Sequence, residues 1–236
     1  RLPQSVFMQT ISGGYATDDN EDLPIEVWNP TDIDVILRPD FKTIRNVPWY
    51  TDPTAQVICD AVNLNGTNVI TSCRNVLKKI IKLYQDLSLQ PVVSPELEFY
   101  LVKPNPDPDY PLEVPVGQSG RKETGKQSFG IDAVNEFDPL FEDVYKYCEE
   151  QRIEIDTINH ESGSAQMEIN FQHGDPLDLA DQVFIFKRTL RQSALKHKLY
   201  ATFMAKPMEN QPGSSMHLHQ SLLKKKNNIN VFFNKK

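Results

Sequence analysis

The chain of 236 residues is long enough for one large domain or two small ones with a sizeable core. Hydrophobic residues make up 39% and charged residues 24%, which excludes the disordered and fibrous classes. The net charge of −7 and the lack of an apolar run long enough to cross a bilayer argue against nucleic acid or a membrane as the partner.

The chain begins Arg1-Leu2-Pro3-Gln4, with neither an initiator Met nor a signal-peptide pattern, and we expect it to be a fragment of a longer protein. Its cysteines, Cys59, Cys73 and Cys148, are odd in number and show no C-x-x-C spacing. This pattern argues against a disulfide framework and a zinc knuckle. It predicts small, core-filling thiols in a reducing cytoplasm.

The first 65 residues are predicted to form strands and turns. Short apolar runs at 35–37 and 56–59 alternate with Pro and Asp, and residues 12–25 have the acidic composition of an exposed loop. The pattern changes near the turn signal Asn65-Gly66. We therefore predict two domains, at 1–65 and 66–236.

Helices and strands alternate in the second part. Apolar residues spaced by three or four predict a helix over 74–87, and a strand follows near 91–102. The segment 103–130 is rich in Pro, Asp and Gly, and its length indicates a functional flap or a surface excursion.

Two further helices have clear start signals. Asp138 is the predicted cap of a helix that runs to about Gln151, and Asp175 is that of a helix ending near His197, each followed by proline. The second helix should bury a stripe of apolar residues: Leu179, Val183, Phe186, Leu190 and Ala194. The lysine-rich end of the chain predicts a hairpin.

Three segments with strand character place polar side chains on one face, because residues i and i+2 of a strand share a face. The residues that share a face are Glu96 with Glu98, Glu168 with Asn170, and His217 with His219 and Ser221. Each pattern alone is more often the solvated face of a half-buried sheet.

Together these segments predict a metal site. Carboxylates gathered on one concave face would repel one another and take up protons, and a divalent cation would remove that cost. With the nearby Glu161 and the imidazoles, they form an oxygen-rich set suited to Mg²⁺ or Mn²⁺. Such sites support phosphoryl transfer, although no P-loop or Rossmann glycine pattern is present. A metal-dependent hydrolase is a weaker alternative, because no water-positioning base can be named.

At these motifs the sequence resembles the glutamine synthetase superfamily, including its γ-glutamylpolyamine synthetase branch. Four stretches carry the resemblance: SPELEFY at 94–100, HE through QMEI at 160–169, AD at 180–181, and ATFMAKP through GSSMHLHQS at 201–221. The resemblance implies an α+β fold. A partial N-terminal β-grasp domain would precede an incomplete catalytic domain with a curved antiparallel sheet and outer helices.

Members of this family join glutamate to ammonia or an amine with ATP, through a γ-glutamyl phosphate. The resemblance therefore implies a cytoplasmic carbon–nitrogen ligase that uses ATP and Mg²⁺ or Mn²⁺. It also implies a homo-oligomeric ring, a dodecamer, with each active site between neighbouring subunits.

Residue by residue, the resemblance implies two sets of metal ligands. The set nearer glutamate is Glu98, Glu161 and Glu168, and the set nearer the ATP phosphates includes Glu96 and His217. Three more positions match substrate contacts: Gly213 with glutamate, and His219 and Ser221 with ATP. Lys206, in the family's Lys-Pro motif, is either a catalytic group or an anchor for its loop.

The chain also departs from the family pattern. The catalytic flap Glu and the substrate-binding arginines would lie beyond Lys236, so no catalytic residue is identified here. Ammonia-using members carry an acid in an early loop, and the matching stretch at 9–14 has none. Asp18 and Asp19 would substitute only if that loop folds back. A larger amine therefore stays open beside ammonia, and a noncatalytic metal-binding or assembly protein is the alternative of another class.

Overall fold

The structure is a computed structural model and describes residues 1–10, 12–15 and 31–233. Its strands are β1 (Leu2–Pro3), β2 (Asp34–Pro39), β3 (Arg45–Asn46), β4 (Ala55–Gln56), β5 (Cys59–Val62), β6 (Leu89–Val102), β7 (Ile155–His160), β8 (Gln166–Phe171), β9 (Tyr200–Thr202), β10 (Met216–Lys224) and β11 (Ile229–Asn230). Its α-helices are α1 (Cys73–Asp86), α2 (Ile131–Asn135), α3 (Asp138–Gln151) and α4 (Pro176–Lys196). None of the helices within these ranges is long and apolar enough to span a membrane.

A small sheet lies at the N-terminal end. Strands β1, β2 and β5 form it in the antiparallel order β1-β2-β5, while β3 and β4 make a separate pair. A small core of Val35, Ala61 and Val69 lies against this sheet. The strand-and-turn character predicted for the first 65 residues agrees with these elements, and the boundary at 65/66 stays a prediction.

The large sheet contains the second part's strands in the order β11-β10-β6-β8-β7, with β9 paired to the end of β6. Every pairing is antiparallel. The 14-residue strand β6 lies at its centre and pairs with β10 and with β8. The α+β class and the antiparallel sheet with outer helices are confirmed.

The main core fills one face of this sheet. Leu97 and Phe99 on β6 are 2% and 0% exposed, and they join a cluster to which α3 and α4 contribute. Phe171 of β8 meets Phe186 of α4 edge to face, with ring centroids 5.3 Å apart. The stripe predicted along α4 is buried throughout. Because side chains alternate along a strand, the polar residues of β6 face the other way.

The helix starts differ in their chemistry. The carboxylate of Asp175 accepts hydrogen bonds from the backbone N–H groups of Leu177 and Asp178, so the predicted cap of α4 is confirmed. In α3 the cap position belongs to Phe137, and Asp138 lies in the first turn without a side-chain cap. There the acid still interacts favourably with the helix dipole.

Helix α1 forms where predicted, and several of its apolar residues are exposed: Val76, Ile80, Leu83 and the adjoining Leu87. The expectation that the cysteines fill the core needs correction. All three cysteines are free thiols, and of these only Cys148 is a fully buried core residue, while Cys73 is exposed.

Arg74 of α1 connects the N-terminal sheet to helix α4. Its guanidinium donates to Asp181 of α4 at 2.9 and 3.0 Å and to Asp40 at 2.8 Å, and it also pairs with Asp60 of β5. These groups are largely buried. Arg74 is therefore an electrostatic hub between the N-terminal sheet and the helix that covers the large sheet.

We expect Arg74→Met to lower the free energy of unfolding by about 3 kcal/mol, because it leaves buried carboxylates without their partner. Urea denaturation measures this change. The matched control is Lys82→Met, which removes an exposed ion pair with Asp86 and should cost under about 0.5 kcal/mol. Equal losses of unfolding free energy in the two variants would contradict this role of Arg74.

The difference in unfolding free energy between the wild type and Arg74→Met should depend on pH. The hydrogen bond from Arg74 lowers the pKa of Asp40, and hydrogen bonds from Lys78 and Arg74 outweigh burial to lower the pKa of Asp60. Carboxyls with depressed pKa values stabilise the fold above their ordinary value of 3.8 and lose that effect as the pH falls. The wild-type advantage over Arg74→Met should therefore shrink below about pH 4.

Candidate active site

The polar face of the large sheet gathers acidic residues from adjacent strands. Glu96 and Glu98 lie on β6, where Glu98 is directly opposite Glu168 of β8 and Glu96 is directly opposite His217 of β10. Directly opposed side chains on a sheet are close neighbours. Register thus brings the predicted carboxylates and imidazole together at the centre of the sheet.

Three of these residues converge on one point. Ligand atoms of Glu96, Glu168 and His217 all lie within 4.8 Å of one another. Nδ1 of His217 is 3.4 Å from Oε2 of Glu96 and 3.8 Å from Oε1 of Glu98. This trio combines one member of the set expected near glutamate with two of the set expected near ATP.

Glu98 is oriented by neighbouring donors. Its Oε2 accepts hydrogen bonds from the backbone N–H of Ser215 at 3.0 Å and from Nε2 of Gln166 at 3.1 Å, and its Oε1 accepts from Oγ of Ser215 at 2.8 Å. Donors to both oxygens hold the carboxylate in one orientation, as groups around a metal ligand do. Both donor residues lie within the sequence motifs, but only the fold shows that they bind Glu98.

Gln166 is a buried connector within the site. Its Nε2 also donates to the carbonyl of Gly213 at 2.9 Å, while its Oε1 accepts from the N–H of Gly163 at 2.9 Å and from the hydroxyl of Tyr100 at 3.2 Å. Both ends of the amide are satisfied, which fixes its orientation. A side chain at Gly163 would collide with the Tyr100 hydroxyl. Gly213 is therefore tied to the carboxylate face through one amide.

Glu161 lies in the loop between β7 and β8, next to the cluster. Burial, followed by repulsion from Glu168 and Glu98, raises its pKa. Burial of the Tyr100 hydroxyl, with a smaller contribution from the charge of Glu98, raises the pKa of Tyr100 to about 12. Like charge has therefore accumulated on this face, as the sequence predicted.

The remaining predicted residues are placed differently. Nε2 of His219 contacts Oε1 of Glu96 at 2.8 Å, so this histidine joins the edge of the cluster. Ser221 lies further along β10, where its Oγ accepts from Nδ2 of Asn230 at 2.7 Å. Nζ of Lys206 donates to the carbonyl of Gln211, which favours the loop-anchor interpretation.

The early loop is described only in part. Gln9 pairs with Tyr15 in an antiparallel bridge, and the N–H of Thr10 donates to the carbonyl of Gly14 at 2.8 Å, so the described residues of this stretch make a turn. The described side chains of this turn include the hydroxyls of Thr10 and Ser12 and no carboxylate. Asp18 and Asp19, together with the rest of the acidic loop at 16–25, lie outside the described residues.

The donor set fits a divalent cation. Carboxylate oxygens and an imidazole nitrogen are ligands of Mg²⁺ and Mn²⁺. Within the described part of the chain they converge without an ion pair to Lys or Arg, which leaves negative charge for a cation to neutralise. We therefore treat this face of the sheet as the candidate active site.

Fold and site define an α+β protein with a candidate cation site at the centre of an antiparallel sheet. The sequence profile of the glutamine synthetase catalytic domain matches residues 71–236. The chain therefore belongs to the glutamine synthetase family.

Relatives within the family differ in their amine. The chain is 35% identical over 225 residues to γ-glutamylputrescine synthetase of Escherichia coli, covering 94% of this chain and 46% of that protein. It is 31% identical over 228 residues to glutamine synthetase of Pyrococcus abyssi, covering 97% and 48%. The structure of Plasmodium falciparum glutamine synthetase matches with a TM-score of 0.77 at 20% identity over 94% of this chain and 49% of that one. The chain thus spans about half the length of these relatives.

We expect Glu161→Gln to stabilise the metal-free protein, because it removes a partly buried charge that Glu168 and Glu98 repel. In EDTA the Tm should rise by about 2 °C, a gain of under about 1 kcal/mol for a chain of this size after solvent screening. Mn²⁺ should raise the Tm of the wild type more than that of the variant.

The control for this prediction is Glu149→Gln, which removes an exposed carboxylate from α3 and should change neither Tm value. A lower Tm for Glu161→Gln than for the wild type in EDTA would show that the charge of Glu161 does not destabilise the metal-free protein.

Proposed function

We propose that this chain provides part of the active site of an ATP-dependent glutamate–amine ligase that forms a γ-glutamyl amide through γ-glutamyl phosphate. The observation that carries this proposal is the register of β6, which places Glu96, Glu168 and His217 around one point. Membership of the glutamine synthetase family supports it.

The proposed ligands keep the assignment by resemblance. Glu98, Glu161 and Glu168 would hold the cation nearer glutamate, and Glu96 and His217 would hold the one nearer the ATP phosphates. Bound Mg²⁺ or Mn²⁺ would screen the carboxylate of glutamate from the triphosphate and stabilise charge on the transferred phosphoryl group.

The other site residues would position the substrates. Gly213, with its carbonyl held by Gln166, is the proposed backbone contact to glutamate. His219 and Ser221, which follow His217 on the same face of β10, are the proposed contacts to ATP. Ser215 and Gln166 would keep Glu98 in one orientation while substrates enter.

Ammonia is the first candidate acceptor, as the glutamine synthetase relatives suggest. A larger amine such as a polyamine is the second candidate. Two observations favour it. The described side chains of the turn at 9–15 offer hydroxyls where an acid would be needed to deprotonate ammonium. The chain is also similar to the γ-glutamylputrescine synthetase relative. We further infer a cytoplasmic homo-oligomeric ring, a dodecamer, from the family alone.

We expect His217→Ala in the natively expressed protein to lower glutamate-dependent phosphate release from ATP by at least about 100-fold, since losing a ligand costs at least as much as losing the groups that orient it. The control is His197→Ala, which removes a contact to Asp143 at the end of α4 and should leave the rate within about threefold. Full activity of His217→Ala would contradict the metal assignment. No activity in the wild type would favour the noncatalytic alternative.

The acceptor can be identified by comparing ammonium with putrescine at saturating glutamate, ATP and Mn²⁺. We expect kcat/KM for ammonium to exceed that for putrescine by more than about tenfold, because a site shaped for one amine discriminates against the other. The reverse ratio would establish the second candidate. Either the expected ratio or values within tenfold of each other would leave the argument from the turn at 9–15 without support.

A further inference from the structure

The long segment after β6 is not a simple surface excursion, because residues 123–129 bind the loop that carries Glu161. The N–H of Lys126 donates to the carbonyl of Ser162 at 2.8 Å, and the N–H of Phe129 donates to the carbonyl of His160 at 2.9 Å. At Gly125 a side chain would come within 2.8 Å of the Ser162 carbonyl, so the two backbones pack directly against each other. We call residues 123–129 the clamp.

Glu123 is the buried centre of the clamp. Its side chain is 2% exposed, and that of His160 beside it is 0% exposed. Oε1 of Glu123 lies 3.1 Å from Nε2 of His160 and accepts from Nε2 of Gln127 at 2.7 Å, while Oε2 accepts from the backbone N–H of Ala165. Buried carboxylates are costly unless every oxygen has a partner, and here both do.

These contacts fix both ends of the Glu161 loop. At its start, Nδ1 of His160 donates to the carbonyl of Glu161 at 2.6 Å. At its end, Ala165 has a φ of 55°, in the left-handed region that a residue with a Cβ adopts at a cost. Its N–H is the group that Glu123 accepts from. One carboxylate thus holds the residue next to Glu161 and the strained residue before β8.

We propose that Glu123 is a positioning residue that sets the location of the Glu161 carboxylate in the metal site, through His160 and Ala165. This inference rests on the proposed function, since it assumes that Glu161 binds a divalent cation. Glu123 itself touches neither substrate nor metal. Groups that orient metal ligands typically contribute 10- to 100-fold to metal affinity.

Mn²⁺ binding tests this proposal without any measurement of activity. Free Mn²⁺ is followed by its EPR signal during titration of the natively expressed protein and its variants. We expect Glu123→Ala to weaken Mn²⁺ binding about 10- to 100-fold. Glu123→Gln should recover part of that loss, because the amide oxygen can still accept from Ala165, whereas the amide nitrogen cannot accept from Gln127 as Oε1 does.

Glu123→Asp covers the case in which Glu123→Ala does not fold. It keeps the carboxylate but shortens the side chain by one methylene, and we expect Mn²⁺ binding to be about tenfold weaker. The matched control is Gln151→Ala, which removes an equally buried side chain that hydrogen-bonds Tyr147 of α3 and Thr189 of α4, where these two helices pack together. It should lower the Tm and leave Mn²⁺ affinity unchanged.

Each outcome separates the two proposals. Wild-type Mn²⁺ affinity in a folded Glu123→Asp or Glu123→Ala variant would overturn the positioning role while the proposed function stands. An equal loss of affinity in Gln151→Ala would also overturn it, because the effect would then follow stability alone. Absence of Mn²⁺ binding in the wild type would overturn the proposed metal site, and this inference with it.

Discussion

The register of the central strand β6 is the constraint on which the rest of the structure depends. Because side chains alternate along a strand, the residues that build the core and those that build the site are interleaved: Leu97 and Phe99 on one face, Glu96 and Glu98 on the other. A shift by one residue would bury two carboxylates and expose two core side chains. Hydrophobic burial therefore fixes the positions of the acidic groups, and core and site cannot vary independently.

Gathering acids on one face has a cost that the surrounding donors offset. Ser215 and Gln166 donate to Glu98, and Nδ2 of Asn170 donates to Glu168 at 3.0 Å. Glu161 has fewer such partners, so burial and its neighbours raise its pKa. This combination of fixed donors and residual repulsion is typical of a binding site that is preorganised for a cation at the expense of stability.

Two polar networks outside the sheet support this arrangement. Arg74 joins Asp40, Asp60 and Asp181 and so connects the N-terminal sheet to the helix behind the core. Glu123 performs a similar task at the end of β7, where it connects the long segment after β6 to the Glu161 loop. Both residues are buried charged groups whose polar atoms have hydrogen-bond partners. Such groups select one packing of the surrounding segments among the many that hydrophobic contacts alone would allow.

The sequence by itself determined the helices α1, α3 and α4, the strands β6, β8 and β10, and the shared face of the polar residues on those strands, because period-2 and period-3.6 patterns are local properties of the chain. It also identified the family and the carboxylates. Only the tertiary structure decided which of them meet: the pairing of Glu96 with His217, the tie between Gln166 and Gly213, and the burial of Glu123 beneath its loop. These contacts join residues more than 35 positions apart, and strand register and loop packing, which set them, leave no periodic signal in the sequence.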